Sequence, residues 1–570
     1  MYLYYTTLHL CWQCDIGKLH QMWYNIYIAF FRKDITMTWL PRTNATSISE
    51  AVSILSGCNI EELKNPEPAE PWEIKNLEDA AALINTCIKV GKHISVIGDY
   101  DTDGCTSSAI LYLLLKELGS TPDIRLPHRM SEGYGLSPAI VEEVRKKNPD
   151  GLLITVDNGI AAQEAVQQAK DAGMTVIILD HHLPGETLPA ADVLVDQWTD
   201  TESSDHGPGY CYYCGAWLAY KLAQYMIPEN TILLEKMSAL AAIGTVGDVM
   251  NLTKDNRVIV KEGLAAMDAG NVTKGLQCIL DASGKARFDA ITLAFYVVPM
   301  INAAGRLLDD GAKLPCAILA AENNVYRHAE RLKFLNDQRK ELVKTQYQAV
   351  VTQLGLTPDA KVSVPLIAFS DVVHEGIAGI LAGKLTEEYH VPAFVFARTK
   401  THWKGSGRSI EGVNLKRRLD DMSDCMLGYG GHSGAAGVSV AFGDEDKFKA
   451  EAQNAFKDVE PEVVRVTVVE AAEFSHATPS SVLVRIWPRV PPVGAGSASF
   501  AFLIPSSICW PVYAPLYPSG ILIPPHAKIG LTIRTDVHGT ANRDIIIVVV
   551  PASILAFGKQ GNPIFTIALH

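Results

Sequence analysis

The stretch "SVIGDYDTDG", residues 95–104, runs from an apolar segment into three aspartates at alternate positions and closes on a glycine. The charges of Asp99, Asp101 and Asp103 repel one another at this spacing, which costs free energy unless a positive group neutralises them. Taken alone, the stretch fits an exposed Asp/Gly turn. It also fits a divalent-cation site at the carboxyl end of a buried strand. Its surroundings decide between the two.

From residue 77 to about 250 the chain alternates helical and strand patterns. "LEDAAALINTCIKVG" has helical spacing, "HISVIGDY" is a short apolar run, and "TSSAILYLLLKELGS" is an apolar-faced helix ending at Gly119. "GLLITVDNGI" reads as strand then turn, "AAQEAVQQAKDAG" as a helix closed by Gly173, and "MTVIILDHH" as a strand again. Continuous apolar strands alternating with helices predict an α/β fold with a doubly wound parallel sheet. Ligands of such sheets bind outside the carboxyl ends of the strands, which is where the acidic clusters fall. A long helical region with Lys and Arg on its polar face covers roughly 315–355. A second, smaller α/β unit follows at about 360–445, with "VSVPLIAFS", "GIAGILAGKLTEEYH" and "VPAFVFA" as strand, helix and strand. After about 464 charges become sparse, and Pro, Ser and short Val/Ile runs dominate.

The 570 residues suffice for two to four domains, and 48% hydrophobic with 20% charged residues is ordinary for a globular chain. The net charge of -13 argues against broad nonspecific coating of nucleic acid, but leaves room for a local basic channel or metal-mediated phosphate binding. The 11 cysteines are scattered and several sit in apolar runs, which predicts reduced thiols in a cytoplasmic setting. The pairs Cys11/Cys14 and Cys211/Cys214, the latter near His206, read as thiols rather than zinc ligands. The most apolar region, 498–525, carries Pro505, Pro511, Pro515, Pro518, Pro524 and Pro525, too many for a membrane-spanning helix. Residues 1–36 are aromatic-rich without clear period, and Met37 reads as the expected start of the coding sequence.

Asp99/Asp101/Asp103, Asp157, Asp180/His181/His182 and Asp248 all end predicted strands or sit in loops. Singly, Asp157 could make an Asx turn before Asn158-Gly159, His181 could be a satisfied surface histidine, and Asp248 a helix cap. Together, carboxylates with one or two imidazoles at one sheet edge form the oxygen-rich set that Mn²⁺ or Mg²⁺ prefers. Two such ions can activate a water and clamp a phosphoryl group.

In order, "GDYDTDG", "VDNGI", "DHH" and "GTVGDV" resemble the four motifs of the DHH phosphoesterase superfamily, and most closely its RecJ family of single-strand-specific DNA exonucleases. Further similar features are "LPHRMSEGYGL" (126–136), "NAAGRL" (302–307), "HEGIAGILAGKL" (374–385), "KGSGRS" (404–409) and "GYGGHSGAAG" (428–437). The resemblance spans about 50–445, with Thr102 and Gly247 as small departures at non-ligand positions. It implies Asp101, Asp103, Asp157, His181 and Asp248 as ligands of two Mn²⁺ or Mg²⁺ ions, with Asp157 bridging. Asp99 and His182 then lie beside them, as supporting or proton-transfer groups. It also implies strand or phosphate contacts from Arg129, Tyr134, Arg306, His374, Arg408, Ser409, Gly430, Gly431 and His432. Small phosphate-approaching glycines and donor side chains suit that task.

The implied domains are an N-terminal segment 1–76, a DHH phosphoesterase domain 77–312, a connecting helix 313–358, a DHH-associated domain 359–464 and an atypical tail 465–570. The family usually continues into an oligonucleotide-binding barrel. "LAFGKQGNPIF" (555–565) only faintly echoes its opening signature, so the tail reads as out of frame or as a divergent nucleic-acid-binding module. The implied activity is 5′-to-3′ hydrolysis of single-stranded DNA in repair and recombination. Single-strand-binding protein and a helicase are the implied partners, without a membrane. The alternatives are a nano-RNA, nucleotide or cyclic-dinucleotide phosphodiesterase of the same superfamily, which would lack "EGYGL" and "HEGIAGI", and an inactive DNA-binding scaffold, which would have no use for five metal ligands.

Overall fold

The computed structural model describes residues 58–199, 212–356 and 362–459, together with Ser53 and four isolated two-residue strands further on. Met37, the Cys11/Cys14 pair, Cys211, His206 and, apart from those strands, the 465–570 tail lie outside the described residues.

Five parallel strands form the first sheet: β1 (Ile94–Ile97), β2 (Asp123–Arg125), β3 (Leu152–Val156), β4 (Thr175–Leu179) and β5 (Val193–Val195), in the order β2-β1-β3-β4-β5. The central strands "ISVI" and "LLITV" are buried at every position, which is why the chain spends continuous apolar runs on them. β2 and β5, three residues each and only part-buried, carry no such run and escape the sequence pattern. Helices α1 (Leu77–Lys89), α2 (Thr102–Glu117), α3 (Pro138–Lys147) and α4 (Gln163–Asp171) wrap the sheet. α4 buries Ala165, Val166 and Ala169, a spacing that places one face on the sheet. Gly119 and Gly173 follow α2 and α4 with φ of +85° and +81°, the left-handed geometry that ends helices.

The strand–helix alternation stops after β5. α5 (Gly215–Met226), α6 (Thr231–Gly247), α7 (Lys254–Ala269), α8 (Lys274–Ala282) and α9 (Val298–Leu307) form a helical layer continuous with the sheet's core. The segment Ala290–Leu307, which includes α9, is long and apolar enough to cross a membrane. Leu293, Val297, Met300, Ile301, Ala303 and Ala304 are nevertheless buried in the lobe, as in a core helix.

Between the lobes, helices cover Lys313–Leu319 (α10) and the 28 residues Tyr326–Gln353 (α11), with a short irregular link between them. The second sheet contains β6 (Leu366–Ser370), β7 (Ala393–Arg398), β8 (His402–Arg408), β9 (Gly428–Gly431) and β10 (Ala435–Ala441), in the order β6-β7-β8-β10-β9. Only β6 and β7 are parallel; the other neighbours run antiparallel. Helix α12 (Ala378–Tyr389) packs on β7 and β8 and buries Leu381, Ala382 and Leu385.

Candidate metal centre and nucleic-acid groove

The register brings the ends of the first sheet's strands level: Ile97 pairs with Thr155, Val156 with Leu179, and Leu179 with Val195. The residues that follow emerge together at one edge, at the point where the strand order reverses between β1 and β3. Asn158 fixes that point. Its Nδ2 donates to the last carbonyls of β1 (Ile97, 3.0 Å) and β3 (Val156, 2.9 Å), and its Oδ1 accepts from Leu136 N. The turn forces Asp157 to φ +61°, a strained conformation for a side-chain-bearing residue of the kind that clusters at functional sites.

Asp101 caps α2, with Oδ1 accepting from Asp103 N at 2.9 Å and Gly104 N at 3.2 Å. Asp103 is buried, and both its oxygens accept from the start of α5, Oδ2 from Gly215 N at 2.6 Å and Oδ1 from Ala216 N at 2.8 Å. A helix N-terminus thus faces this carboxylate. Close approach makes it workable: a Cβ on Gly215 would lie 2.7 Å from Asp157 Cβ, and one on Gly244 of α6 would lie 2.8 Å from Asp103 Oδ1. Asp248 follows α6 directly.

His181 Nε2 sits among three carboxylates: 3.0 Å from Asp157 Oδ1, 3.7 Å from Asp248 Oδ2 and 3.8 Å from Asp103 Oδ2. Burial and the neighbouring His182 hold its imidazole down to about 3, so it is the neutral form that ligates metal. His182 differs. Burial pulls it down, but its 2.8 Å hydrogen bond to Asp180 and that residue's charge outweigh burial and push it up to about 9. The Tyr134 hydroxyl donates to the Asp157 carbonyl at 2.8 Å and lies 3.1 Å from His182 Nδ1.

Burial and neighbouring carboxylates raise Asp99, Asp157 and Asp248 well above the usual range, and raise Asp103 to about 6 against its hydrogen bonds to Ala216 and Gly215. Asp99 Oδ1 and Asp248 Oδ2 are buried without a hydrogen-bond partner. Orphaned buried carboxylate oxygens are costly unless a cation takes them. Ligand atoms within 4.8 Å of one another form the groups Asp103/His181/Asp248, Asp157/His181/His182 and Asp99/Asp101/Asp157. The donor set fits hard divalent ions. Asp180, at the start of "DHH", spends both oxygens on backbone amides: its Oδ2 accepts from Ile160 N, and its Oδ1 accepts from the His181 and His182 amides.

A cationic cluster lies beside this edge. Burial lowers the Arg306 guanidinium to about 9, helped by Arg129, Arg339 and Arg408. Burial and Arg129 lower Arg408 to about 10. Among the described residues the arginine ion pairs are made by Arg125, Arg145, Arg398 and Arg418, and by none of these four. His432 feels both Arg408 and His182, which with burial hold it below its usual value. Gly430 and Gly431 are exposed on β9, and Gly431 (φ +145°) leaves no room for a Cβ, which would meet Ala435 O at 2.3 Å.

Two expected contacts are turned elsewhere. Ser409 spends its hydroxyl on Val413 O, and His374 caps the turn Glu375–Ile377 and lines a groove with Leu307, Leu335 and Leu342. The thiol of Cys214 is buried, as is that of Cys87, Cys105, Cys278, Cys316 and Cys425. Sequence reasoning missed Asn158, Arg339 and the role of Asp180. Arg339 lies mid-helix in α11 among solvent-facing Lys and Arg, and only its fork on the buried Asn336 marks it.

Residues 93–245 match the DHH family, N-terminal domain, and residues 359–458 match the DHHA1 domain. The chain is 34% identical over 400 residues to the single-stranded-DNA-specific exonuclease RecJ of Escherichia coli K12, covering 66% of this chain and 68% of that protein. A RecJ crystal structure with bound manganese aligns with a TM-score of 0.58 at 31% identity, covering 68% of this chain and 96% of that one. The Mn²⁺ complex of Thermus thermophilus RecJ gives 0.62 at 29% identity, covering 73% of this chain and 59% of that one. Its Mg²⁺ complex gives 0.56 at 27% identity, covering 73% and 57%.

Proposed function

Because this chain belongs to the RecJ family of single-stranded-DNA-specific exonucleases, we propose a division of labour in which the first lobe's acidic edge hydrolyses the phosphodiester and the cationic groove holds the strand. The enzyme is a metal-dependent exodeoxyribonuclease that uses Mn²⁺ or Mg²⁺. The observation that carries the division is the pair of orphaned oxygens, Asp99 Oδ1 and Asp248 Oδ2, each belonging to a ligand group of the acidic edge. Asp101, Asp103, Asp157, His181 and Asp248 would hold the two ions, with Asp157 between them and Asp99 completing the group with Asp101. Bound ions supply neutralising charge for the phosphoryl group and acidify water.

The protein's own groups do the rest. Asp180 fixes the His182 ring and keeps it protonated at neutral pH, so His182 can donate to a phosphoryl oxygen or to the leaving oxygen. The α5 amides hold Asp103 in place. Arg129, Arg306, Arg339, Arg408 and His432 neutralise successive phosphates without reading sequence. We infer hydrolysis from the 5′ end, the domain limits 77–312, 313–358 and 359–464, a cytoplasmic site of action favoured by the buried thiols, and single-strand-binding protein and a helicase as partners.

The test is incubation of end-labelled single strand, blunt duplex, a dinucleotide and a cyclic dinucleotide with enzyme and Mn²⁺. Rapid release of mononucleotides from the single strand, with the duplex resistant, is the expected result. Fast cleavage confined to the dinucleotide or cyclic substrate would assign the small-substrate chemistry instead.

A further inference from the structure

The loop 126–132 carries Arg129, and three anchors hold it. Within the loop's own neighbourhood, Arg125 donates to Glu132, which accepts from His128 N at 2.7 Å. From the end of α9, Asp309 accepts from Met130 N at 3.0 Å, Ser131 N at 3.0 Å and the Ser131 hydroxyl at 2.6 Å. The third anchor comes from the other lobe. Lys404, on β8, reaches across and donates from Nζ to the Met130 carbonyl at 2.8 Å, with Glu375 Oε2 3.4 Å away. The Arg129 guanidinium between these anchors lies over the Tyr100 ring, 4.4 Å from its centroid. Tyr100 itself stands between Asp99 and Asp101.

We propose that Lys404 is a positioning residue for Arg129, tying the second lobe to the loop so that the guanidinium is held over the metal edge only when the two lobes are together. This rests on the reading of Arg129 as a strand contact. The ammonium is committed to a carbonyl and to Glu375, so it acts on the strand through the loop. A flexible loop would have to order Arg129 at the moment of binding, and that entropy would be subtracted from affinity. The carbonyl bond removes this cost beforehand. A strand gripped by Arg129 and Arg408 therefore meets a seat with one wall from each lobe, assembled by Lys404 on one side of Met130 and Asp309 on the other.

The experiment is a double-mutant cycle on binding of a fluorescent single strand, read by anisotropy in about 0.15 M salt, where exposed charges beyond about 8 Å are screened. Lys404→Met is expected to weaken binding about tenfold, the scale of one hydrogen bond to a charged group, and to add little in an Arg129→Ala background. Asp309→Ala, which loosens the loop from the first lobe, is expected to show the same non-additivity, and serves if Lys404→Met does not fold. Calorimetric Mn²⁺ binding is expected to stay as in the unmodified chain. If Arg129→Ala alone binds normally, the strand-contact reading falls. If Arg129→Ala weakens binding but Lys404→Met has no effect or adds its full effect, Lys404 is not acting through Arg129 and the proposal is overturned.

Discussion

The acidic edge and the arginine cluster beside it have opposite electrostatic problems. On the first lobe, buried carboxylates crowd one sheet edge and two of their oxygens have no partner. Beside them, burial and mutual repulsion lower guanidiniums from both lobes, which make no ion pair among the described residues. Neither arrangement is favourable by itself, and the two do not neutralise each other directly as salt bridges. Each suits something from outside: cations for the acids, a polyanion for the bases. The lesson is that chemistry and grip are separable here, and each should fail in its own way.

The largest expected effect is on chemistry. Asp157→Ala should lower turnover on the order of 10³-fold or more, since it removes the carboxylate common to two of the three ligand groups. Single-turnover kinetics on a labelled strand checks this, and turnover within tenfold would break the assignment. Next comes Asp180→Asn, which frees His182 from its partner and should cost about 10- to 100-fold, as outer partners of metal sites do. The pH profile sharpens it. If protonated His182 donates, activity persists up to its value of about 9 and falls as pH rises through it. In Asp180→Asn that limb should move downward, towards the ordinary histidine value.

Grip should fail more gently. Arg408→Ala or His432→Ala should weaken strand binding about tenfold while calorimetric Mn²⁺ affinity is unchanged. For Arg408→Ala the dependence of log affinity on log salt should flatten by roughly one contact. Equal loss of metal affinity would merge the two regions. The last effect is read in stability: packing beneath the acids. Gly244→Ala places a methyl 2.3 Å from Ala216 Cβ and 2.6 Å from Thr106 Oγ1. It should destabilise the fold by about 1–3 kcal/mol, measured by urea unfolding.

The same contrast explains what could be read from the sequence. The parallel sheet was legible because β1, β3 and β4 are buried on both faces and are mostly apolar. The acidic motifs around Asp99, Asp157 and Asp180 were legible because each follows such a strand, whereas Asp248 follows α6. The helical layer from α5 to α9 was hidden, since buried helices and buried strands share apolar runs. Asn158 and Asp180 looked like turn and cluster residues because their work is hydrogen bonding to backbone atoms distant in sequence. The arginine cluster gathers residues from 129 to 408, a proximity that no local spacing encodes.

The central claim is that the strand-end carboxylates exist to hold two divalent ions around Asp157. Calorimetric titration of Mn²⁺ into the full chain and into Asp157→Ala tests it most directly. Two bound ions in the former, and at most one, bound more weakly, in the latter is the expected result. Two ions of unchanged affinity in Asp157→Ala would contradict it.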